Sequence, residues 1–249
     1  MLRSILTALL MFGLVIVMLG EENKKVKSPA QIMESVVIVN TSSGVVVKSD
    51  SDKSLVLTAY HVIQDSIEKE PDGDIYVMFL YVINGVPFLD KYRVENLIFD
   101  ELNDLALLEI HPGRILFHSD IASANNDPEL GDDIFIGANP NYRYRSLKKG
   151  IISSKVRYRG SVLTWEVSAG VVFGSSGGGA FTMDGKVFGV VRSVEPLKTD
   201  CWEEEDEKGE THEECSFIPI YYMGYISTPQ EIRSFILSGK YSKDFSYLR

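Results

Sequence analysis

The chain has 249 residues, of which 45% are apolar and 24% charged, an ordinary balance for a globular protein with room for one domain or two small ones. Its formal charge is −10. Phosphate recognition needs clustered Lys and Arg, so this charge gives no footprint for nucleic acid, and no such partner is expected.

At the start of the chain, an uncharged run from Ser4 to Leu19 follows Arg3 and ends at Glu21, Glu22, Lys24, Lys25 and Lys27. It has no polar face and reads as a membrane-directed hydrophobic helix, either an anchor or a signal-peptide core. As helix it spans about 24 Å, short of a bilayer core of about 30 Å. Met18 stands where a cleavage site wants a small side chain, which favours an uncleaved anchor over secretion after cleavage. Lys24, Lys25 and Lys27 by themselves favour a cytoplasmic domain. The usual export pattern, a positive start before an apolar run, favours the opposite, and a membrane-anchored, extracytoplasmic domain is the expectation.

From Glu34 onward, short β-rich runs alternate with turn residues and little 3.6-residue periodicity intervenes. The first half offers six: residues 34–41, 44–49, 54–60, 74–80, a long run over 86–99, and 104–110. Asn84-Gly85 is a strong hairpin signal, because both central residues of a tight turn need positive φ. The polar stretch from His111 to Gly131 reads as a connector. Six more runs follow, at 133–138, 146–159, 161–169, 179–183, 186–194 and 218–227, with Asp184-Gly185 turning a hairpin.

The predicted fold is therefore all-β, two six-stranded antiparallel β-barrels, since closure removes exposed strand edges. The expected boundaries are 1–27 for the N-terminal segment, 28–115 for the first barrel, 116–131 for the connector, 132–239 for the second barrel with a C-terminal α-helix, and 240–249 for a tail. That helix is well signalled: Thr228 caps it, Pro229 opens it, Glu231 completes a capping box and Gly239 stands past its end.

Cys201 and Cys215 are the two cysteines. They lack the four ligands of a structural zinc even with His212 between them, so no metal is expected; a disulfide is preferred over two free thiols and would contribute about 3 kcal/mol. Between them lie eight acidic residues against one lysine, read as a solvated surface loop, with a calcium site or a charge-based substrate selector as the alternatives.

Chemistry concentrates in three strings. Gly174 to Ala180 reads GSSGGGA, a backbone able to expose Ser176 on a tight turn while its N–H converges with that of Gly174 on a developing oxyanion. Taken alone, the string fits a flexible Gly/Ser loop equally well. His61 closes a strand, where a general base can be held rigidly, and Asp104 immediately precedes an apolar strand, where its partly buried carboxylate needs a donor such as an imidazole N–H.

The order His61, Asp104, Ser176, split between two barrels, resembles the chymotrypsin/trypsin clan. More closely, the chain resembles the bacterial high-temperature-requirement (HtrA/Deg-like) proteases from about Glu34 to Ile236. The likeness rests on ESVV at 34–37, LGDDIFIGANP at 130–140, KGIISS at 149–154 and GKVFGVV at 185–191. Two positions depart from the family pattern: Ser175 stands where asparagine is usual and Gly179 where proline often follows the glycines. A C-terminal PDZ domain, common in the family, is not expected before Arg249.

The resemblance implies a serine endopeptidase with no cofactor. Ser176 would attack the scissile carbonyl, His61 would relay the proton, Asp104 would orient the imidazole, and the N–H groups of Gly174 and Ser176 would hold the oxyanion. It also implies a polypeptide substrate bound as an extended strand along Val190, Val191, Arg192 and Ser193. With Gly170, Val171, Val172 and Phe173 before the serine loop and no acidic residue there, a small or medium apolar side chain is expected at the cleaved position. The competing readings are a catalytically silent peptide-binding protein of the same fold and an esterase. The esterase is disfavoured because its usual fold carries the order Ser, Asp, His.

Overall fold

A computed structural model describes residues 28–68, 74–83, 86–140, 145–159, 162–205 and 211–248. The N-terminal apolar run and the Asn84-Gly85 turn lie outside these residues. Among the described residues no helix is long and apolar enough to cross a membrane.

The chain opens with a short helix, α1 (Pro29–Ser35), which the strand-rich pattern did not announce. The first unit then follows: β1 (Val36–Val39), β2 (Ser42–Ser49), β3 (Ser54–Thr58), a 3₁₀ turn at Tyr60–Val62, α2 (Gln64–Glu68), β4 (Tyr76–Ile83), β5 (Val86–Arg93), β6 (Asn96–Asp100) and β7 (Leu105–Ile110). These make one antiparallel sheet of seven strands in the order β5-β4-β1-β2-β3-β7-β6. Six strands were expected, and the difference lies in the run over 86–99. Its first part pairs with β4, Val94 then donates its N–H to Ile75 O, and Glu95 donates to Glu109 O as the chain transfers to β7. One apolar stretch therefore serves two ladders.

The second unit comprises β8 (Asp133–Ala138), β9 (Ser146–Arg159), β10 (Val162–Val167), β11 (Gly179–Phe181), β12 (Val187–Glu205) and β13 (Thr211–Ile226), closed as β10-β13-β12-β11-β8-β9. This is the expected six-stranded barrel. The acidic Cys201–Cys215 segment, expected as a loop, is instead largely strand. β12 runs on to Glu205 and β13 starts at Thr211, with Cys201 directly opposite Cys215 and disulfide-bonded to it. The side chains at 202–210 and 212–214 lie outside the described residues.

Three apolar clusters hold the molecule together. One fills the sheet unit, with Val37, Val46, Val56 and Leu108, and one fills the barrel, with Ile136, Trp165, Val191 and Ile226. The third lies between the units. There Val45, Val47, Leu55 and Leu107 of the sheet meet Phe181, Val187 and Val190 of the barrel and Ile232 and Phe235 of α3 (Pro229–Ser238). Because β1, β3 and β7 are covered on both faces, they read as continuous apolar runs instead of alternating ones. The capping box on α3 forms as expected. Gly239 is not left-handed, with φ −88°; a side chain there would collide with Ile98.

Candidate active site

The cleft between the two units collects side chains from both. His61 sits in the 3₁₀ turn that ends β3, so the buried strand Ser54–Thr58 fixes where the imidazole leaves the first unit. Asp104 precedes β7, the neighbour of β3, and the ladder brings the two ends together. The Asp104 carboxylate accepts from His61 Nδ1 at 2.9 Å and from the His61 backbone N–H at 2.9 Å. Two bonds to one residue set both the ring's position and its tautomer: with the proton on Nδ1, Nε2 is left as the basic nitrogen.

The backbone of Asp104 is left-handed, with φ 46°, a conformation that aspartate tolerates better than most residues. The turn that supplies it is tied down locally. Asn103 donates from its backbone and side chain to Asp100, and Asp104 donates its N–H to Glu101 O.

The Gly174–Ala180 loop faces this pair from the second unit. Gly174 and Gly177 have φ 83° and 78°, and a β-carbon on Gly177 would stand 2.1 Å from Ser43 O. The two serines separate clearly. Ser175 is buried and its hydroxyl accepts from the Val172 N–H, whereas Ser176 faces the cavity that His61 lines. Ser176 Oγ donates to Arg192 O at 3.5 Å, and among the described residues no hydrogen bond joins it to His61. Such contacts are often long without substrate and tighten when it binds.

The peptides flanking the expected oxyanion donors are anchored one by one. Ser43 Oγ donates to Gly174 O at 2.7 Å, and Ser42 Oγ and Ser43 N both donate to Ser176 O at 2.9 Å. Gly178 N donates to Ser175 O, and Ser175 N to Val172 O. Among the described residues the N–H groups of Gly174 and Ser176 have no acceptor, which leaves them available to a ligand. Ser42 and Ser43 were missed in the sequence. Their only signal is a hydroxyl pair before a glycine at the start of β2, a pattern common in turns.

The cavity has a volume of about 710 Å³ and runs from Asn40 and Asp74 past His61 and Ser176 to Phe173 and Ser193. Of the four residues expected to carry substrate, Arg192 and Ser193 line it and Val190 and Val191 do not. The backbones of Val190 and Val191 are already used, the first exchanging bonds with Ser227 and the second with Gly177 and Gly178, and their side chains lie in the cores. On this strand the cavity is therefore lined from Arg192 onward. Next to the serine loop, Lys148 Nζ donates to Gly170 O, and Val171 packs against Gly224 so that only Val172 and Phe173 reach outward.

No curated protein matches the chain by sequence. Solved structures match in fold. The protease domain of MamO from Magnetospirillum magneticum is 16% identical, with 82% of this chain and 96% of that one covered and a TM-score of 0.56. The Rv3671c protease of M. tuberculosis, in an inactive form, is 18% identical over 84% of this chain and 90% of its own, with a TM-score of 0.55. Deg5 is 24% identical over 65% and 80%, with a TM-score of 0.53. The model of the trypsin-like peptidase domain matches residues 42–190, which span His61, Asp104 and Ser176 and exceed half of the sequence. The chain belongs to the trypsin-like peptidase domain family.

Proposed function

We propose that this protein is a serine endopeptidase that hydrolyses polypeptides through Ser176, His61 and Asp104. The observation that carries the reading is the joint placement of the Asp104-bound His61 ring and the Ser176 hydroxyl on one open cavity at the seam of two units. Ser176 attacks the scissile carbonyl, and His61 Nε2 takes its proton and returns it to the leaving amine. Water then enters, gives its proton to the same nitrogen and releases the acyl group. The negative oxygen of each tetrahedral intermediate is received by the N–H groups of Gly174 and Ser176, each worth about 3 kcal/mol of barrier lowering. Asp104 stabilises the imidazolium.

The substrate is an extended polypeptide whose backbone pairs from Arg192 and Ser193 onward. Val172 and Phe173 favour a small or medium apolar residue at the cleaved position. A randomised peptide library returning a strong Arg or Lys preference would contradict that assignment. The apolar run at 4–19 anchors the protease domain outside the cytoplasm. Protease added to intact cells should then degrade the domain, and protection from it would reverse the orientation.

Purified protein should cleave unfolded casein. Ser176→Ala should abolish cleavage, and Asp104→Asn should lower it by about 10⁴-fold, because the asparagine amide can donate to Nδ1 and so favours the wrong tautomer of His61. Cleavage that survives Ser176→Ala would sink the reading.

A further inference from the structure

Three charged side chains that the mechanism above does not use line the site, and of Asp65, Asp74 and Arg192 only Arg192 is buried. Arg192 is the extra residue of a bulge in β12: Val191 pairs with Ile226 and Ser193 with Tyr225, which leaves Arg192 without an opposite number. Bulges re-aim side chains, and this one sends a guanidinium inward between the two units. It is 8% exposed. Nη2 donates to Asn103 O and, at 3.2 Å, to Glu231 Oε2, while Nη1 donates to Leu163 O at 3.2 Å.

Asn103 O belongs to the peptide that enters Asp104, whose backbone is the left-handed one. Glu231 is the residue that completes the α3 capping box, and the same Oε2 accepts from the Thr228 N–H at 2.8 Å. The charges acting on the guanidinium are Glu231 on α3 and Asp104 and Asp100 at the ends of the β6–β7 turn; burial pulls its pKa below the usual value while these carboxylates oppose the shift. Lysine could not make the same set, since a point ammonium lacks the fork that reaches a carbonyl and a carboxylate together.

We propose that Arg192 is a positioning residue that holds the Asn103–Asp104 peptide, and through it the Asp104–His61 pair, in its working geometry, braced from behind by Glu231 at the start of the terminal helix. The barrel thus contributes to the pair as well as to the nucleophile. Replacing the guanidinium leaves Asn103 O unheld and lets the carboxylate drift, and displacements of this size near reacting groups lower rates by about tenfold to a hundredfold.

This inference rests on the proposed protease reading, and one experiment separates the two. Phosphonylation of Ser176 by a fluorophosphonate yields a maximal rate, kinact, an apparent binding constant, KI, and an amplitude that counts folded sites. Arg192→Met should lower kinact by about tenfold or more with KI unchanged, Arg192→Lys should recover part of it, and Glu231→Gln, which keeps the capping box, should lower kinact by about threefold. A purely structural residue would reduce the amplitude and leave kinact alone. Wild-type kinact in Arg192→Met overturns the inference, and if that variant fails to fold, wild-type kinact in both Arg192→Lys and Glu231→Gln overturns it. Absence of labelling in the wild type removes the protease reading together with the inference. Labelling that is slowed by Asp104→Asn but indifferent to all three variants removes the inference alone.

Discussion

Ser43 has one hydroxyl proton to give, and its neighbours decide where it goes. Asn139 donates its backbone N–H to Ser43 Oγ at 2.8 Å, so the hydroxyl must turn its own proton to Gly174 O. A side chain of the first unit thereby holds the Gly174–Ala180 loop of the second. Ser43→Ala strands a buried N–H and a carbonyl, and should lower stability by about 1–3 kcal/mol and slow acylation of Ser176 as well. Thermal unfolding and labelling rate measured on the same preparation test both effects; an unchanged rate would show that the loop holds itself. Gly177→Ala should be worse, because its methyl group would strike Ser43 O and Thr58 Oγ1. His61 and Ser176 could be picked out because the proposed chemistry demands a particular residue type in a particular setting. Ser43 could not, and Arg192 stood out only as a substrate-strand residue, because their contacts lie 131 and 89 positions away in the chain.

At the scale of elements, the strands were legible where an apolar run served one ladder, and not at 201–205 and 211–215, whose charged composition reads as loop although they pair with each other. The stretch over 86–99 hides a change of partner that composition cannot show, and α1 and α2, of seven and five residues, are too short to build a 3.6-residue pattern. The terminal helix was readable because its cap is written in local sequence. Its docking was not: Arg233 is buried and makes a two-pronged pair with Asp127 of the connector, at 2.6 and 2.7 Å. Arg233→Ala should cost about 3 kcal/mol, read from denaturant unfolding, since it leaves a carboxylate without its partner. On β7 and the residue after it, burial works against charge on His111, but the hydrogen bond with Glu109 and the charges of Glu95 and Glu109 outweigh it and raise its pKa above the usual 6.5. The stability it adds is therefore complete below pH 6.5 and lost as pH rises through the elevated value. His111→Gln should lower the melting temperature at pH 5.5 and leave it nearly unchanged at pH 9; equal losses at both would contradict the assignment.

For the molecule as a whole, a seven-stranded sheet and a closed six-stranded barrel are joined by a shared apolar layer. The proposed function depends on that seam. The sheet supplies His61, Asp104 and the Ser42–Ser43 clamp, while the barrel supplies Ser176, the proposed oxyanion loop and Arg192, so neither half should be active alone. The most direct measurement is peptide mapping of the purified protein after fluorophosphonate treatment. The account predicts a single adduct on Ser176, absent in Ser176→Ala and strongly slowed in His61→Ala. An adduct on Ser175 or another serine, or a Ser176 adduct that forms as fast without His61, would contradict it.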